Sequence, residues 1–504
     1  MTRAVLALAL ASACAKPVPP VAATPATPAT PTPRPPGVPL LVLLVVDQLP
    51  VRLLDAVADH YDSGLGRLTG DQAYRGVVRY AHAVTFTCPG HATISTGAAP
   101  SAHGIVSNRW LDPGSGEPIY CAQPEFLLSE ALADKVVDAG GQVASLSLKD
   151  RAAIMMGGHR PTLAAWYDAD AKAFNDDRLA GIDIDRWLEE PWTALAPELY
   201  AELVGPDEGR YEADPGIGTT FPHPAIPDHP KLLANTPFGG EALVDAAIRA
   251  QATLGLGTDD QPDLLAVSFS ETDYIGHAHT SESWEALDNM LRLDDAIGRL
   301  LAHLDATVGA DRYTVMLTSD HGSVQPTEVR VDANEIRKTA TSALSRVGGD
   351  AEVLFEDPGI YLPAAVRSNP DMYAQAMALI AEEVSAIAGI HSAYPWRTEA
   401  PTDELAEDVM LSVHPDRSGD LYVVLAPGAL YDYHRAPGKG TSHGTPWDDD
   451  QRVPFLAAGA GITPGTGAAD ADVRQVAVTA AALLGVGTPA DATLAPIAGV
   501  LASE

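Results

Sequence analysis

Uninterrupted apolar runs alternate with amphipathic stretches along this chain. Leu40 to Val46 is apolar throughout and ends at Asp47, and similar runs occupy Leu264 to Phe269, Tyr313 to Thr318 and Phe455 to Ala458. A short run with no polar face is the pattern of a strand covered on both sides in a parallel sheet. Between these runs, Leu287, Met290, Leu291, Ile297, Leu301 and Leu304 recur at helical spacing, which predicts a helix with one apolar face. Strands alternating with such helices predict an α/β fold, a mostly parallel central sheet sandwiched by helices. Sites on sheets of this kind collect beyond the carboxyl ends of the strands, where Asp47, Asp273 and Asp320 stand.

Two stretches depart from that pattern. Residues from about 165 to 240 are rich in Asp, Pro, Trp and Tyr, including Trp166, Tyr167, Trp187, Trp192 and Tyr200, and read as an insertion or cap. A second excursion, from about 325 to 440, carries a predicted helix near Asp371 to Ile387 and a strand-like Leu421 to Leu425. Either is placed to shape the mouth of a pocket. The expected organisation is one catalytic domain over residues 38–504 with these two insertions.

Ahead of it, residues 15–37 are a Pro, Ala and Thr spacer with almost nothing to bury. Residues 1–14 read as an export signal: Arg3 gives the positive start, Ala4 to Ala13 an apolar stretch too short to span a bilayer, and Ala11-Ser12-Ala13 a small-residue cleavage site. Cys14 follows directly, as in bacterial lipoprotein signals, although Ala11 stands where Leu is usual. Acylation of Cys14, periplasmic release and secretion are all open. No other segment is apolar and long enough to cross a bilayer, so membrane attachment is expected only through Cys14. Without Cys14 the chain has Cys88 and Cys121, a candidate disulfide in an oxidising compartment.

The 504 residues carry a net charge of -35, from 32 basic against 67 acidic side chains. That excludes a general nucleic-acid or anionic-membrane binder, since both need a positive surface. An anionic substrate would have to be attracted locally, by metal cations and a few basic side chains.

The candidate chemistry fits that requirement. Asp47, Asp273 with His277, Asp320 with His321, and His443 are six ligand-type side chains at or near the ends of apolar runs, or in the small-residue loop Gly440-Thr441-Ser442-His443-Gly444. Asp and His suit zinc, and three ligands per ion would leave positions open for substrate and water, a catalytic arrangement. His279, two residues beyond His277, diverges from it on a helical turn and is set aside. Thr87, before a Pro-Gly turn in Thr85-Phe86-Thr87-Cys88-Pro89-Gly90-His91, is a nucleophile candidate whose hydroxyl a metal would activate; Thr85 and Thr93 compete with it. Cys88 does not fit the CxPxR pattern of sulfatases, because Pro89 follows it immediately and Ala92 replaces the arginine. Lys149 and Arg151 alternate as on an extended strand, which places two cations on one side to bind phosphate oxygens. Asn108 is a further phosphate donor candidate.

In this order, the motifs resemble the alkaline phosphatase superfamily, specifically its threonine-nucleophile branch of phosphate-irrepressible alkaline phosphatases and nucleotide pyrophosphatase/phosphodiesterases. The resemblance runs from about residue 38 to the C-terminus. It implies two zinc ions, one held by Asp273, His277 and His443, the other by Asp47, Asp320 and His321 with the Thr87 oxygen. It selects Thr87 over its neighbours and makes Asn108, Lys149 and Arg151 the phosphate-binding trio of the monoesterase subgroup. The implied reaction is phosphoryl transfer from a small-molecule phosphate monoester to Thr87, then hydrolysis of the phosphothreonine. The competing functions are a nucleotide pyrophosphatase or phosphodiesterase and, in a different class, a non-catalytic phosphate-binding surface lipoprotein. Oligomeric state does not follow from these residues.

Overall fold

The Leu40–Val46 strand is buried at every position and lies at the heart of a ten-stranded sheet. The computed structural model describes residues 37–432, 438–467 and 470–502. The expected export signal, Cys14 and all but the last residue of the Pro-rich spacer lie outside the described residues. Among these, no helix is long and apolar enough to cross a membrane.

Leu40–Val46 pairs in parallel with Asp263–Phe269 on one side and Tyr313–Thr318 on the other. Val143–Ser147 and then Leu163–Asp168 continue the parallel array beyond Asp263–Phe269. At the other edge Arg452–Gly459 pairs antiparallel to both Tyr313–Thr318 and Ala73–Arg79. The apolar runs therefore form the predicted sheet, and the last of those runs, in Arg452–Gly459, is antiparallel to both of its neighbours.

Alternate residues of the central strand feed two cores. Leu40, Val42, Leu44 and Val46 face a layer that includes the helices Phe238–Leu254 and Trp284–Thr307; the latter holds the predicted apolar stripe. Leu41, Leu43 and Val45 face Thr87–Thr96, Leu132–Asp138 and Gln475–Leu484. Apolar burial on both faces is worth roughly 25 cal/mol per Å², which explains why these strands tolerate no polar alternation.

Trp166 and Tyr167 lie in the Leu163–Asp168 strand of the main sheet. Further along the same aromatic-rich stretch, Trp192 and Tyr200 are buried, both bonded to the Asp288 carboxylate, through Nε1 at 2.6 Å and the hydroxyl at 3.0 Å. The later excursion builds its own layer: an antiparallel sheet of Leu354–Glu356, Gly359–Tyr361, Leu421–Leu425 and Ile390–Tyr394, packed with the helices Ala333–Arg346 and Pro370–Ser385 around a separate core.

Candidate metal centre

Each parallel strand delivers its chemistry at its carboxyl end. Asp47 follows Leu40–Val46 and its N–H donates to the Phe269 carbonyl at 2.9 Å. Asp320 and His321 follow Tyr313–Thr318, in a turn fixed by the Ser319 hydroxyl, which donates to the His321 carbonyl at 2.6 Å and accepts from the Leu49 N–H at 2.9 Å. Asp273 and His277 sit one turn apart on the helix Glu271–His279 that leaves Asp263–Phe269. His443 arrives from the loop between the excursion and the last long strand. Gly440 in that loop has φ +71, and a Cβ there would strike the His277 carbonyl, so glycine is what lets the loop close on the helix.

All six side chains converge. Ligand atoms of Asp47, Asp320 and His321 lie within 4.8 Å of one another, and so do those of Asp273, His321 and His443. His277 Nε2 is 3.1 Å from Asp273 Oδ1, and the His321 and His443 rings stack with centroids 3.5 Å apart. His321 therefore stands between the two groups, closer to the Asp273 group than the sequence division suggests. In all three imidazoles Nδ1 is engaged by a backbone carbonyl: Thr441 for His277 at 2.8 Å, Gly322 for His321 at 3.0 Å, Thr85 for His443 at 2.8 Å. An N–H on Nδ1 turns Nε2 into the electron-pair donor, and each Nε2 faces the carboxylates.

Three carboxylates share this buried space with a single lysine. Lys149 Nζ donates to Asp47 Oδ2 at 2.6 Å and to Asp273 Oδ2 at 2.5 Å. Burial, reinforced by Asp320, pushes Asp47 well above the usual carboxylate range. Burial would raise Asp273 too, but His277 and Lys149 hold it well below, and His321 and His91 do the same for Asp320. Burial drives His443 well down, with His321 and His277 adding to it. Asp47 Oδ1, Asp320 Oδ2 and His321 Nε2 are buried without a hydrogen-bond partner. Imidazole nitrogens, carboxylate oxygens and orphaned acceptors in one buried space form a donor set that fits divalent metal.

Thr87 begins the fully buried helix Thr87–Thr96, at its positive end, where backbone N–H groups favour an anion. Its two competitors are occupied elsewhere: the Thr85 hydroxyl donates to the Thr445 carbonyl at 2.9 Å, and Thr93 Oγ1 lies 3.0 Å from His82 and 3.2 Å from His103. A Cβ at Gly90 would collide with the Asp320 carbonyl oxygen, so this glycine allows the helix to lie against the Asp320 turn. Asn108 Oδ1 accepts from the Cys88 N–H at 2.8 Å, which fixes its amide beside Thr87. Cys88 and Cys121 form a disulfide that ties the same helix start to the end of the Pro118–Tyr120 strand.

Lys149 and Arg151 differ from expectation in local structure. Their strand ends at Ser147; Lys149 is the N-cap of the helix Asp150–Gly157 and Arg151 lies in its first turn. Both still line one recess with Tyr274, because a chain leaving a strand for a helix can aim neighbouring side chains to the same end of the sheet. Alongside it, a cavity of about 760 Å³ is lined by His277, Tyr274, Tyr167, Asp214, Lys231 and Asn235 among others, so the aromatic-rich stretch does contribute to the pocket wall.

Three residues that hold the centre escaped the sequence reading. His91, one turn along the helix from Thr87, donates from Nδ1 to the Thr87 carbonyl at 2.8 Å, has the same nitrogen 3.2 Å from Asp320 Oδ2, and meets Ser268 Oγ at 2.8 Å through Nε2. Its signal was the four-residue spacing from Thr87. Gln48, at φ 61, donates from its N–H to Asp320 at 3.2 Å and from Nε2 to Asp273 at 3.0 Å, bridging the two groups. Asp450 anchors the His443 loop by accepting from the Thr445 N–H and hydroxyl at 2.8 and 2.6 Å.

The family model for type I phosphodiesterase / nucleotide pyrophosphatase matches residues 41–446. Alkaline phosphatase PhoK from Sphingomonas sp is 30% identical over 465 residues, covering 82% of each chain. Alkaline phosphatase PafA from Elizabethkingia meningoseptica is 27% identical over 520 residues, covering 91% of this chain and 93% of PafA. The crystal structure of wild-type PafA superposes with a TM-score of 0.86 at 26% identity, over 94% of this chain and all of that one.

Proposed function

The chain belongs to the type I phosphodiesterase / nucleotide pyrophosphatase family, within the alkaline phosphatase superfamily, and we propose that it is an alkaline phosphatase acting on phosphate monoesters through a phosphothreonine at Thr87. The observation that carries this reading is the meeting of six ligand-type side chains from distant segments beside the hydroxyl-bearing end of the Thr87–Thr96 helix.

Asp47, Asp273, His277, Asp320, His321 and His443 would hold two zinc ions, which when bound stabilise the nucleophilic and leaving oxygens as anions. The remaining steps belong to the protein. The Thr87 oxygen attacks phosphorus in line as its proton passes to solvent, the bond to the leaving alkoxide breaks, and the alkoxide takes up a proton from solvent. Water then attacks the phosphothreonine from the vacated side, releasing inorganic phosphate and returning the proton to Thr87. The helix N-terminus and the Asn108 amide orient the phosphoryl oxygens. Lys149 and Arg151 supply fixed positive charge: burial works against the charged forms, but Asp273 and Asp47 beside Lys149, and Tyr274 and Tyr120 beside Arg151, outweigh it and push both above the ordinary lysine and arginine range. A dianionic monoester gains more from two such cations than a monoanionic diester, which favours monoesterase over the diesterase activity that the family name also covers.

The test compares hydrolysis of an aryl phosphate monoester with that of its diester. Monoester kcat/KM higher by orders of magnitude is expected, and a large diester preference would overturn the role given to Lys149 and Arg151. Thr87→Ala should keep its metal and lose turnover by about 10³-fold or more. Export is part of the same proposal, supported by the Cys88–Cys121 disulfide, which persists in an oxidising compartment. Acylation of Cys14 is checked by the mass of the mature N-terminal peptide.

A further inference from the structure

The histidine set aside in the sequence lies in a second cluster. His277 and His279 are two residues apart on Glu271–His279, so their side chains leave the helix on opposite sides. His279 is fully buried and neither of its ring nitrogens has a hydrogen-bond partner. Around it stand Glu212, from the stretch after the helix Pro197–Val204, and Glu285, in the first turn of Trp284–Thr307. One ligand atom from each of the three lies within 4.8 Å of the others. Glu212 Oε2 and Glu285 Oε2 are also buried and unpartnered.

Their other atoms are held as a metal's outer shell holds its ligands. Glu212 Oε1 accepts from the Gly209 N–H at 3.0 Å. Glu285 Oε1 lies 3.0 Å from His223 Nε2, whose Nδ1 is 3.1 Å from the Ile217 carbonyl. Asp207 and Asp214 add negative field, and Lys439, the cation that acts on Glu212, instead donates to the Arg210 carbonyl at 2.5 Å. His279 Nδ1 faces Glu285 Oε1 at 3.5 Å, beyond a good hydrogen bond, and a buried imidazole and carboxylate oxygens left without hydrogen bonds are a costly arrangement unless a cation joins them.

We propose that Glu212, His279 and Glu285 form a third metal site, separate from the pair beside Thr87, which takes a divalent transition ion, zinc by its mixed nitrogen and oxygen donors. None of the three residues lines the 760 Å³ cavity, so the ion is structural. Its neighbours do line it: Ala213 and Asp214 follow Glu212, Ala278 precedes His279, and the Ala213 N–H donates to the Ala278 carbonyl at 2.8 Å. The ion clamps the pocket wall to the end of the helix that carries Asp273 and His277.

Elemental analysis of zinc-loaded, extensively desalted protein tests this. Wild type should hold three equivalents; Glu212→Gln and His279→Gln should each hold two, retain monoesterase turnover within a few-fold, and melt at lower temperature. Equal zinc content in wild type and both variants overturns the site. Asp320→Asn should keep the third ion, so a fault in the two-ion reading shows as a different loss. Zinc-edge anomalous scattering from wild-type crystals needs no variant: a peak between Glu212, His279 and Glu285 is expected, and its absence refutes the proposal.

Discussion

Replacing His91 with Phe keeps the ring volume in a fully buried position and deletes its polar contacts. It removes donation to the Thr87 carbonyl, the contact with Ser268 Oγ and the charge-facing contact with Asp320 Oδ2. The Thr87 carbonyl stays inside a helical turn, so its loss is small. Ser268 loses a neutral hydrogen bond worth about 1 kcal/mol, and Asp320 loses the imidazole nitrogen that faces its Oδ2 at 3.2 Å. Asp320 is a proposed metal ligand, and loss of a group that positions a ligand typically costs about 10- to 100-fold in affinity, or about 1.4–2.8 kcal/mol. Zinc affinity of wild type and His91→Phe should be measured by chelator competition, together with monoester kcat. The variant should bind zinc about 10- to 100-fold more weakly and recover part of its kcat when zinc is raised. Unchanged affinity and unchanged kcat would refute the view that His91 orients Asp320 and the Thr87 turn.

Lys149→Ala combined with Arg151→Ala should lower monoester kcat/KM by about 10²–10³-fold and diester kcat/KM by much less, narrowing the ratio between them. Burial pushes the Asp450 carboxyl up to about 7 from an ordinary 3.8. A raised carboxyl favours the folded state fully below the unfolded value and loses that contribution as pH climbs through 7, by up to roughly 4 kcal/mol. Asp450→Asn keeps an acceptor for Thr445 without the charge, so its melting temperature relative to wild type should rise from pH 5 to pH 9; a constant difference would contradict the assignment. Cys88 and Cys121 are 33 residues apart, and closing such a loop is worth about 3–4 kcal/mol in the chain-entropy treatment. Cys121→Ala should unfold at correspondingly lower denaturant and lose activity earlier than bulk structure, because Cys88 adjoins Thr87.

The fold was legible where both faces of a strand are covered. The runs at Leu40, Leu264 and Tyr313 lack any polar alternation because a helix layer lies above and below them, and their residues carry that condition directly. The run at Phe455 satisfies the same condition yet is antiparallel, since burial on two faces does not encode direction. Lys149 and Arg151 suggested a strand because alternation over so few residues looks the same in an extended segment and in the first turn of a helix. The six ligand-type residues stood out because charge beyond a buried strand has no packing purpose. Gln48 did not, since it acts through bonds to Asp273 and Asp320 far away in sequence, and His91 and Asp450 did not, since their bonds to the nearby Thr87 and Thr445 matter only once the fold brings Asp320 and His443 beside them. His279 was judged only against its neighbour His277, and nothing in the local sequence points to Glu212 or Glu285.

His443 comes late. The five other ligand-type residues lie within the first 321 positions, but the last reaches them only after the chain has built the separate layer with its own core. A nascent polypeptide at the ribosome or in transit through a translocon is therefore short of one ligand until nearly nine-tenths of it has emerged. A chain cut short before His443 lacks one of the six ligand-type side chains, and its turnover is expected to fall accordingly.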